Sequence, residues 1–475
     1  MDALKILFAA SEAFPFAKSG GLGDVIGSLP KALAKMNTDV RVIIPKYSSI
    51  SSQYVQKFKF LNYFNVKVGC EEHYVGIFEY KKDNVTFYFV DNEHFFSRDH
   101  LYGDYDDAER FIFFSRAVLE CIPHIDFFPD ILHCHDWQTA LIPFFLKEQY
   151  HWHYLNTKSV FTIHNIKYQG LYGFDDLNAL LNLEYFPGAM EFYDKLNLMK
   201  GALYSSDLVT TVSPSYAEEL KDPYYGENLD GVIRDIDFKL HGILNGIDES
   251  VYNPQTDPDI FTPYSTFSGK VKNKQALQNY MDLPINPNIP ILSMVTRLVE
   301  QKGLDLIAGV IHEILQMDLQ LVILGTGESQ YENLFRELAY AYPKKVRTYI
   351  EFDESLSRKI YAGSDFFLMP SKFEPCGLSQ MICMRYGTVP IVRETGGLKD
   401  TIHYYNCNTK KGNGYCFTTY NAHDMLYTIQ AAVGLFSDYK SDWQQLVNNC
   451  FNTHFNWQMA AETYLYFYRK MTNKL

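Results

Sequence analysis

The chain has 475 residues, more than one hydrophobic core usually organises, so two or three domains are expected. Its 43 basic and 56 acidic residues give a net charge of −13 with no basic block, which argues against a nucleic-acid or anionic-membrane partner; an anionic ligand must be met by locally placed cations. Eight scattered cysteines without paired spacing argue against a disulfide framework and a zinc knuckle, and they suit a cytoplasmic protein.

The first apolar run, "LKILFAA", is short, carries Lys5 and is followed by Glu12 instead of a small-residue cleavage site, so it reads as a strand and not a signal peptide. No later run is long enough to span a bilayer. In "AFPFAKSGGLGDV", which follows, the turn Gly20-Gly21 lies between strand and helix. Backbone N–H groups left free at the helix start can face an anion there, with Lys18 adding a full charge, as in a phosphate cradle. The turn is not a Walker A loop, and Gly21, Gly23 and Gly27 miss the G-x-G-x-x-G spacing by one residue; alone it fits a structural role equally well.

Further runs, "VRVIIP", "VTFYFV", "DILHCH", "SVFTIH" and "LVTTVS", alternate with helical patterns, and so do "IPILSMVT", "LQLVILG", "RTYIEF", "FFLMPS" and "VPIVRE" beyond a break. The alternation predicts an α/β fold with parallel sheets and crossover helices, and it places polar residues at the carboxyl ends of strands, where such sheets bind ligands. The break is the Asn-, Pro- and Asp-rich stretch starting "ILNGIDESVYNP", which puts a domain boundary near Asn245 to Pro254. The expected architecture is two Rossmann-like domains, 1–245 and 246–455, facing across a cleft, with a terminal helix in 456–475 that packs back on the first.

Two clusters invite a metal. His133, Cys134, His135 and Asp136 are consecutive on a strand, whose residues alternate between faces, so one ion cannot readily use them all. The D-x-D pattern at Asp104-Tyr105-Asp106 is expected by chance in so acidic a chain, and fixed cations supply what a metal would. No metal and no cofactor are expected.

Beyond the break, Arg297 ends a strand and Lys302 lies five residues on, before Gly303 and a helix, so both could reach one diphosphate. Gly325 and Gly327 mark another strand-to-helix turn, suited to close approach by a nucleotide. Glu374 precedes Pro375, read as the first residue of a helix, which would leave the N–H groups of Cys376, Gly377 and Leu378 as unpaired donors for sugar hydroxyls. Thr395-Gly396-Gly397 forms a third such helix start. Cations and glycine turns in both halves point to a nucleotide diphosphate carrying a sugar.

The segments "SEAFPFAKSGGLGDV", "HCHDWQTA", "TIHN", "YGENLDGVI", "LNGIDESVYNP", "RLVEQKGLDL", "SKFEPCGLSQM" and "TGGLKDTI" run in order along essentially the whole chain. With them the chain resembles the bacterial-type glycogen (starch) synthases, retaining glycosyltransferases of the GT-B fold that move glucose from a nucleotide-glucose donor, typically ADP-glucose, to the end of an α-1,4-glucan. The resemblance implies that Lys18, Gly20 and Gly21 lie beside the donor phosphates, Asp24 near the ribose, and Arg297 and Lys302 at the leaving diphosphate. It implies that Glu374 and the backbone of Cys376 and Gly377 hold the donor glucose, that His164 and Asn165 lie over the transferred sugar, and that Phe352 stacks on adenine. Asn245, Gly325, Gly327, Thr395 and Gly396 complete the implied donor set. Glu12, Asp136, Trp137 and Tyr102 match positions at the acceptor and reaction centre.

Glu227-Asn228 and Tyr252 depart from common family residues, and Ile382 stands where related transferases often carry a second carboxylate, as similar synthases also lack it. The residues alone leave open a double displacement or a front-face reaction, and the oligomeric state, a homo-oligomer included. Two other readings are a different retaining nucleotide-sugar transferase and a catalytically silent glucan-binding or priming protein.

Overall fold

The computed structural model describes residues 3–183 and 188–474. The chain divides into two compact units, Met1–Asn245 with Trp457–Leu475, and Gly246–Asn456.

The first unit is built on a nine-stranded sheet. Its strands are β1 (Leu4–Ala9), β2 (Thr38–Pro45), β3 (Lys59–Val68), β4 (Glu71–Lys82), β5 (Val85–Asp91), β6 (Ile131–His135) and β7 (Lys158–Ile163), together with β11 (Leu208–Thr211) and β12 (Leu240–Gly242). A separate small antiparallel sheet is formed by β8 (Leu171–Gly173), β9 (Glu191–Phe192) and β10 (Lys195–Asn197). The large sheet has the order β12-β11-β7-β6-β1-β2-β5-β4-β3. The seven strands from β12 to β5 run parallel, and the central ones are nearly continuous apolar runs because helices cover both faces.

The edge pair β3–β4 is antiparallel, and β4 is antiparallel to β5. The expected alternation of apolar runs and helices does not include this pair. Most of β3 is exposed or half-buried, and β4 is charged at both ends and buried only at Val75, Gly76 and Ile77. The helix Trp457–Met471 buries Trp457, Ala460, Ala461, Tyr464, Leu465 and Tyr468 within this unit, and just beyond its end Lys474 forms an ion pair with Asp130 at 2.7 Å.

The second unit holds six parallel strands, β13 (Ile291–Val295), β14 (Gln320–Leu324), β15 (Val346–Tyr349), β16 (Phe366–Met369), β17 (Val389–Arg393) and β18 (Tyr415–Phe417), in the order β15-β14-β13-β16-β17-β18. From β13 the chain winds outward through β14 and β15, then returns beside β13 to wind the other way. Strand order therefore reverses between β13 and β16, the point of an open α/β sheet at whose carboxyl ends ligands bind. In the first unit the same reversal falls between β1 and β6. Among the described residues no helix is long and apolar enough to cross a membrane.

Candidate functional site

In the first unit the loop after β1 is organised by Glu12, which is buried, 3% exposed. Its Oε2 accepts the N–H groups of Ser19 (2.6 Å) and Gly20 (3.1 Å), and its Oε1 accepts the hydroxyls of Ser19 (2.6 Å) and Tyr102 (2.7 Å). This corrects the expectation for the turn. The N–H of Gly20 is directed at the protein's own carboxylate and is not left for an outside anion. The first helical residue is Gly21, and a Cβ added at Gly20 or Gly21 would meet nothing within 4 Å, so the space beside the helix start is open. Lys18 lies at this opening, paired at 2.7 Å with Asp24 one turn into the helix.

Tyr102 is tied down twice, its hydroxyl also lying 2.8 Å from Ser11 Oγ. Burial, with the Glu12 charge beside it, pushes its phenol well above the ordinary value, so it stays a proton donor. Trp137 packs edge-on against Phe111 at 5.2 Å and beside Tyr172, and at 9% exposed it offers little surface to a sugar.

Asp136 follows β6 with φ 57° and ψ −179°, a backbone region that costs residues other than glycine about 1–3 kcal/mol. Its side chain offsets the strain. Oδ1 accepts the N–H of His164 at 2.8 Å and of Asn165 at 3.4 Å, joining the ends of β6 and β7. Burial drives the Asp136 carboxyl up to about 7, opposed by those two N–H groups and reinforced by the Glu12 charge. Burial holds the His164 imidazole down at about 3, so it is neutral, and its Nε2 lies 3.0 Å from His135 Nδ1. Asn165 turns its own side chain back to the N–H of Lys167. Asn245, the last residue of this unit, is buried.

The acidic group Asp104, Asp106 and Asp107 brings its carboxylate oxygens within 4.8 Å of one another. Cations of the chain already hold them. Arg110, fully buried, reaches Asp104 and Asp107 at 2.7 Å each, and Arg98 reaches Asp106 at 2.6 Å.

In the second unit Arg297 stands two residues beyond β13 and is exposed. Lys302 ends a single 3₁₀ turn, Glu300–Lys302, followed by Gly303 with φ 74°. A Cβ on Gly303 would lie 2.1 Å from the Pro370 carbonyl, so only glycine lets the loops after β13 and β16 approach this closely. That approach joins Lys302 Nζ to Glu374 Oε2 at 2.6 Å, and Ser371 donates to the same oxygen at 3.0 Å.

Pro375 does not begin a helix. The helix is Ser379–Arg385, after Gly377 at φ 71°, so the segment 374–378 is a loop that returns its Cys376 and Gly377 carbonyls to the Gln380 amide. This loop leans on the helix start at Thr395: Gly397 N–H donates to the Glu374 carbonyl, and Cβ atoms at Gly396 and Gly397 would fall 2.1 Å from the carbonyls of Glu374 and Cys376. Gly325 and Gly327 likewise answer to the protein. Added Cβ atoms would lie 1.8 and 2.2 Å from the Thr296 and Leu298 carbonyls, so close packing of the Arg297 loop already demands glycine there. Phe352, before the helix Glu354–Gly363, is 86% exposed.

The structure thus gathers Glu12, Lys18, Gly20, Gly21, Asp24, Tyr102, Asp136, His164 and Asn165 at the carboxyl ends of β1, β6 and β7. It gathers Arg297, Lys302, Glu374, Cys376, Gly377, Thr395 and Gly396 at those of β13, β16 and β17. Sequence reasoning passes over Ser19 and Ser371 and weighs His135 only as a metal ligand. Each lies within seven residues of an identified group, but their importance depends on hydrogen bonds that only folding reveals.

The family described as "Starch synthase catalytic domain" matches residues 5–235, and "Glycosyl transferases group 1" matches residues 279–434. A glycogen synthase of Alkaliphilus metalliredigens (strain QYMF) is 52% identical, over 98% of this chain and 100% of its own length. One of Geobacillus stearothermophilus is 50% identical over 99% of this chain and 98% of its own. Among solved structures, the catalytic domain of Starch Synthase IV from Arabidopsis thaliana bound to ADP and acarbose aligns with a TM-score of 0.93 and 34% identity, covering 99% of this chain and all of that one. A sucrose-phosphate synthase from Thermosynechococcus elongatus, at 16% identity and TM-score 0.63 over 99% of this chain and all of its own, shares the fold alone.

Proposed function

The chain belongs to the glycogen synthase family of glycosyltransferases, and from that premise we propose that it transfers glucose from ADP-glucose to the non-reducing end of an α-1,4-glucan with retention of configuration. The observation that carries this reading is the Lys302–Glu374 pair at the point where strand order reverses, with Arg297 exposed five residues before Lys302. A departing nucleoside diphosphate develops negative charge. Arg297, Lys302 and Lys18 supply the positive charge that stabilises it.

A diphosphate near Lys302 competes with Glu374 for the ammonium and frees the carboxylate to accept sugar hydroxyls, beside the backbone of Cys376 and Gly377. His164 and Asn165, fixed by Asp136, act over the transferred sugar, while Asp136 and Tyr102 border the acceptor. Trp137, next to Asp136 in the chain, packs on Phe111 and Tyr172 and borders the acceptor through its remaining exposed edge. The remaining donor positions are Asp24 at the ribose, Phe352 at the base, and Asn245, Gly325, Gly327, Thr395 and Gly396 in the supporting loops. All eight cysteines are free, which suits a reducing cytoplasm. Incubating the chain with radiolabelled ADP-glucose or UDP-glucose and glycogen tests the reading: label in the polymer, released by an α-1,4-specific glucanase, is the expected result, and no transfer from either donor would refute it.

A further inference from the structure

Beneath His164 lies a second histidine that neither the family roles nor the proposed chemistry uses. His135 is fully buried, its ring stacked on Phe8 (5.7 Å, 14° between planes) and 4.2 Å from the ring of His133. We infer that His135 is a positioning residue that sets the tautomer of His164: His135 Nδ1–H donates to His164 Nε2, so that His164 carries its own proton on Nδ1 and offers a donor to the ligand. The consequence for transfer rests on the proposed function; the tautomer itself does not.

Burial keeps both imidazoles neutral, so each carries one proton. The 3.0 Å contact between His135 Nδ1 and His164 Nε2 needs one N–H and one lone pair, which leaves two arrangements. If His164 donated, the His135 proton would sit on Nε2, a buried nitrogen with no partner among the described residues. If His135 donates, that nitrogen keeps only a lone pair. An orphaned buried N–H is the rarer and costlier defect.

His133 cannot relieve it, because its Nδ1 is engaged by the Tyr468 hydroxyl and its Nε2 by Thr162 Oγ1, each at 2.6 Å. The tautomer of His164 is therefore dictated from below, as the partner of one ring nitrogen dictates the state of the other. With its backbone N–H held by Asp136, His164 can present Nδ1–H to an oxygen acceptor, a sugar hydroxyl or a phosphate oxygen, and cannot take a proton at that atom.

The test is nitrogen NMR of the ligand-free chain labelled with ¹⁵N-histidine, the His164 signals identified by their loss in His164→Asn. The expected pattern is a protonated Nδ1 and a bare Nε2; a protonated Nε2 overturns the inference. No substrate is present, so failure here is separate from failure of the proposed function. His135→Asn, whose amide N–H replaces Nδ1–H, should keep the His164 tautomer and most of the transfer rate. His135→Leu should let the proton of His164 move to Nε2 and lower kcat by roughly tenfold, the scale on which partners of functional histidines act. A folded His135→Leu chain with His164 still protonated on Nδ1 and unchanged kcat would also overturn it.

Discussion

The ammonium of Lys302 lies 2.6 Å from the carboxylate of Glu374 although 72 residues separate them in the chain. Both side chains are largely buried, at 16% and 9% exposed, whereas Arg297 is exposed. The two cations should therefore fail differently when removed. Lys302→Ala and Arg297→Ala should each lower kcat/KM by on the order of a hundredfold or more, because each removes a fixed charge from the leaving group. Only Lys302→Ala should also lower the melting temperature, since it leaves Glu374 buried without its counter-charge. Transfer assays beside thermal unfolding separate the two effects; near-normal rates in both variants would remove these residues from the site.

Glu12 accepts four hydrogen bonds, and two of its four donors are backbone N–H groups that cannot turn away. Glu12→Ala should destabilise the first unit by about 1–3 kcal/mol, mostly through the Tyr102 hydroxyl left without its acceptor, because Ser19 and Gly20 are exposed and water can take over their hydrogen bonds. Glu12→Gln should cost only about 1 kcal/mol. Its carbonyl can serve the N–H groups of Ser19 and Gly20 while its amide faces the hydroxyls of Ser19 and Tyr102, which can accept as well as donate. Urea unfolding of both variants checks the order, and equal losses would mean that the carboxylate charge, and not its acceptor geometry, holds the loop.

For Asp136 the sign of the pH effect follows from a folded pKa of about 7 against an ordinary 3.8. Between those values the folded chain keeps a proton that the unfolded chain has released, so stability falls as pH rises through the window and is level above it. Asp136→Asn keeps an oxygen for the N–H groups of His164 and Asn165 and removes the titration. Its stability should change less than that of the parent chain from pH 4 to 7, and it should be the more stable of the two at pH 8 by on the order of 1–3 kcal/mol. Parallel stability–pH curves would show that burial does not perturb this carboxyl.

Much of the site was legible because the sequence pattern and the fold obey one rule: polar residues that close an apolar strand run lie at its carboxyl end. Glu12, Asp136, His164 and Arg297 all follow such runs. What could not be read was partnership. Nothing local says that Glu12 turns back on Ser19 and Gly20, or that Lys302 finds Glu374, because those bonds depend on which strands become neighbours. The helix start was misplaced at Pro375 for a related reason. Proline favours a first helical turn, yet contact of this loop with Gly396 and Gly397 holds 374–378 out of the helix until Ser379. Gly325 and Gly327 carry a true signal, close approach, and the carbonyls of Thr296 and Leu298 are what lies close in the folded chain.

Phe352 offers the sharpest test of the donor base, because 86% of it is exposed and little of its ring supports the fold. The residue after it, Asp353, caps the helix Glu354–Gly363 by accepting the N–H of Leu356 at 2.9 Å, so the backbone beneath the ring is anchored independently of the ring. Phe352→Ala should therefore leave the melting temperature nearly unchanged. If the ring stacks on the donor base, the variant should raise KM for ADP-glucose by roughly fivefold, about 1 kcal/mol of lost aromatic contact, and affect kcat little. A purine covers the ring better than uracil does, so the parent chain should prefer ADP-glucose to UDP-glucose, and Phe352→Ala should narrow that preference by penalising the ADP donor more. Phe352→Trp, which keeps an aromatic face, should restore it. Donor competition across the three proteins measures the effect, and a preference for ADP-glucose that survives Phe352→Ala at full size would place the recognition of the base elsewhere.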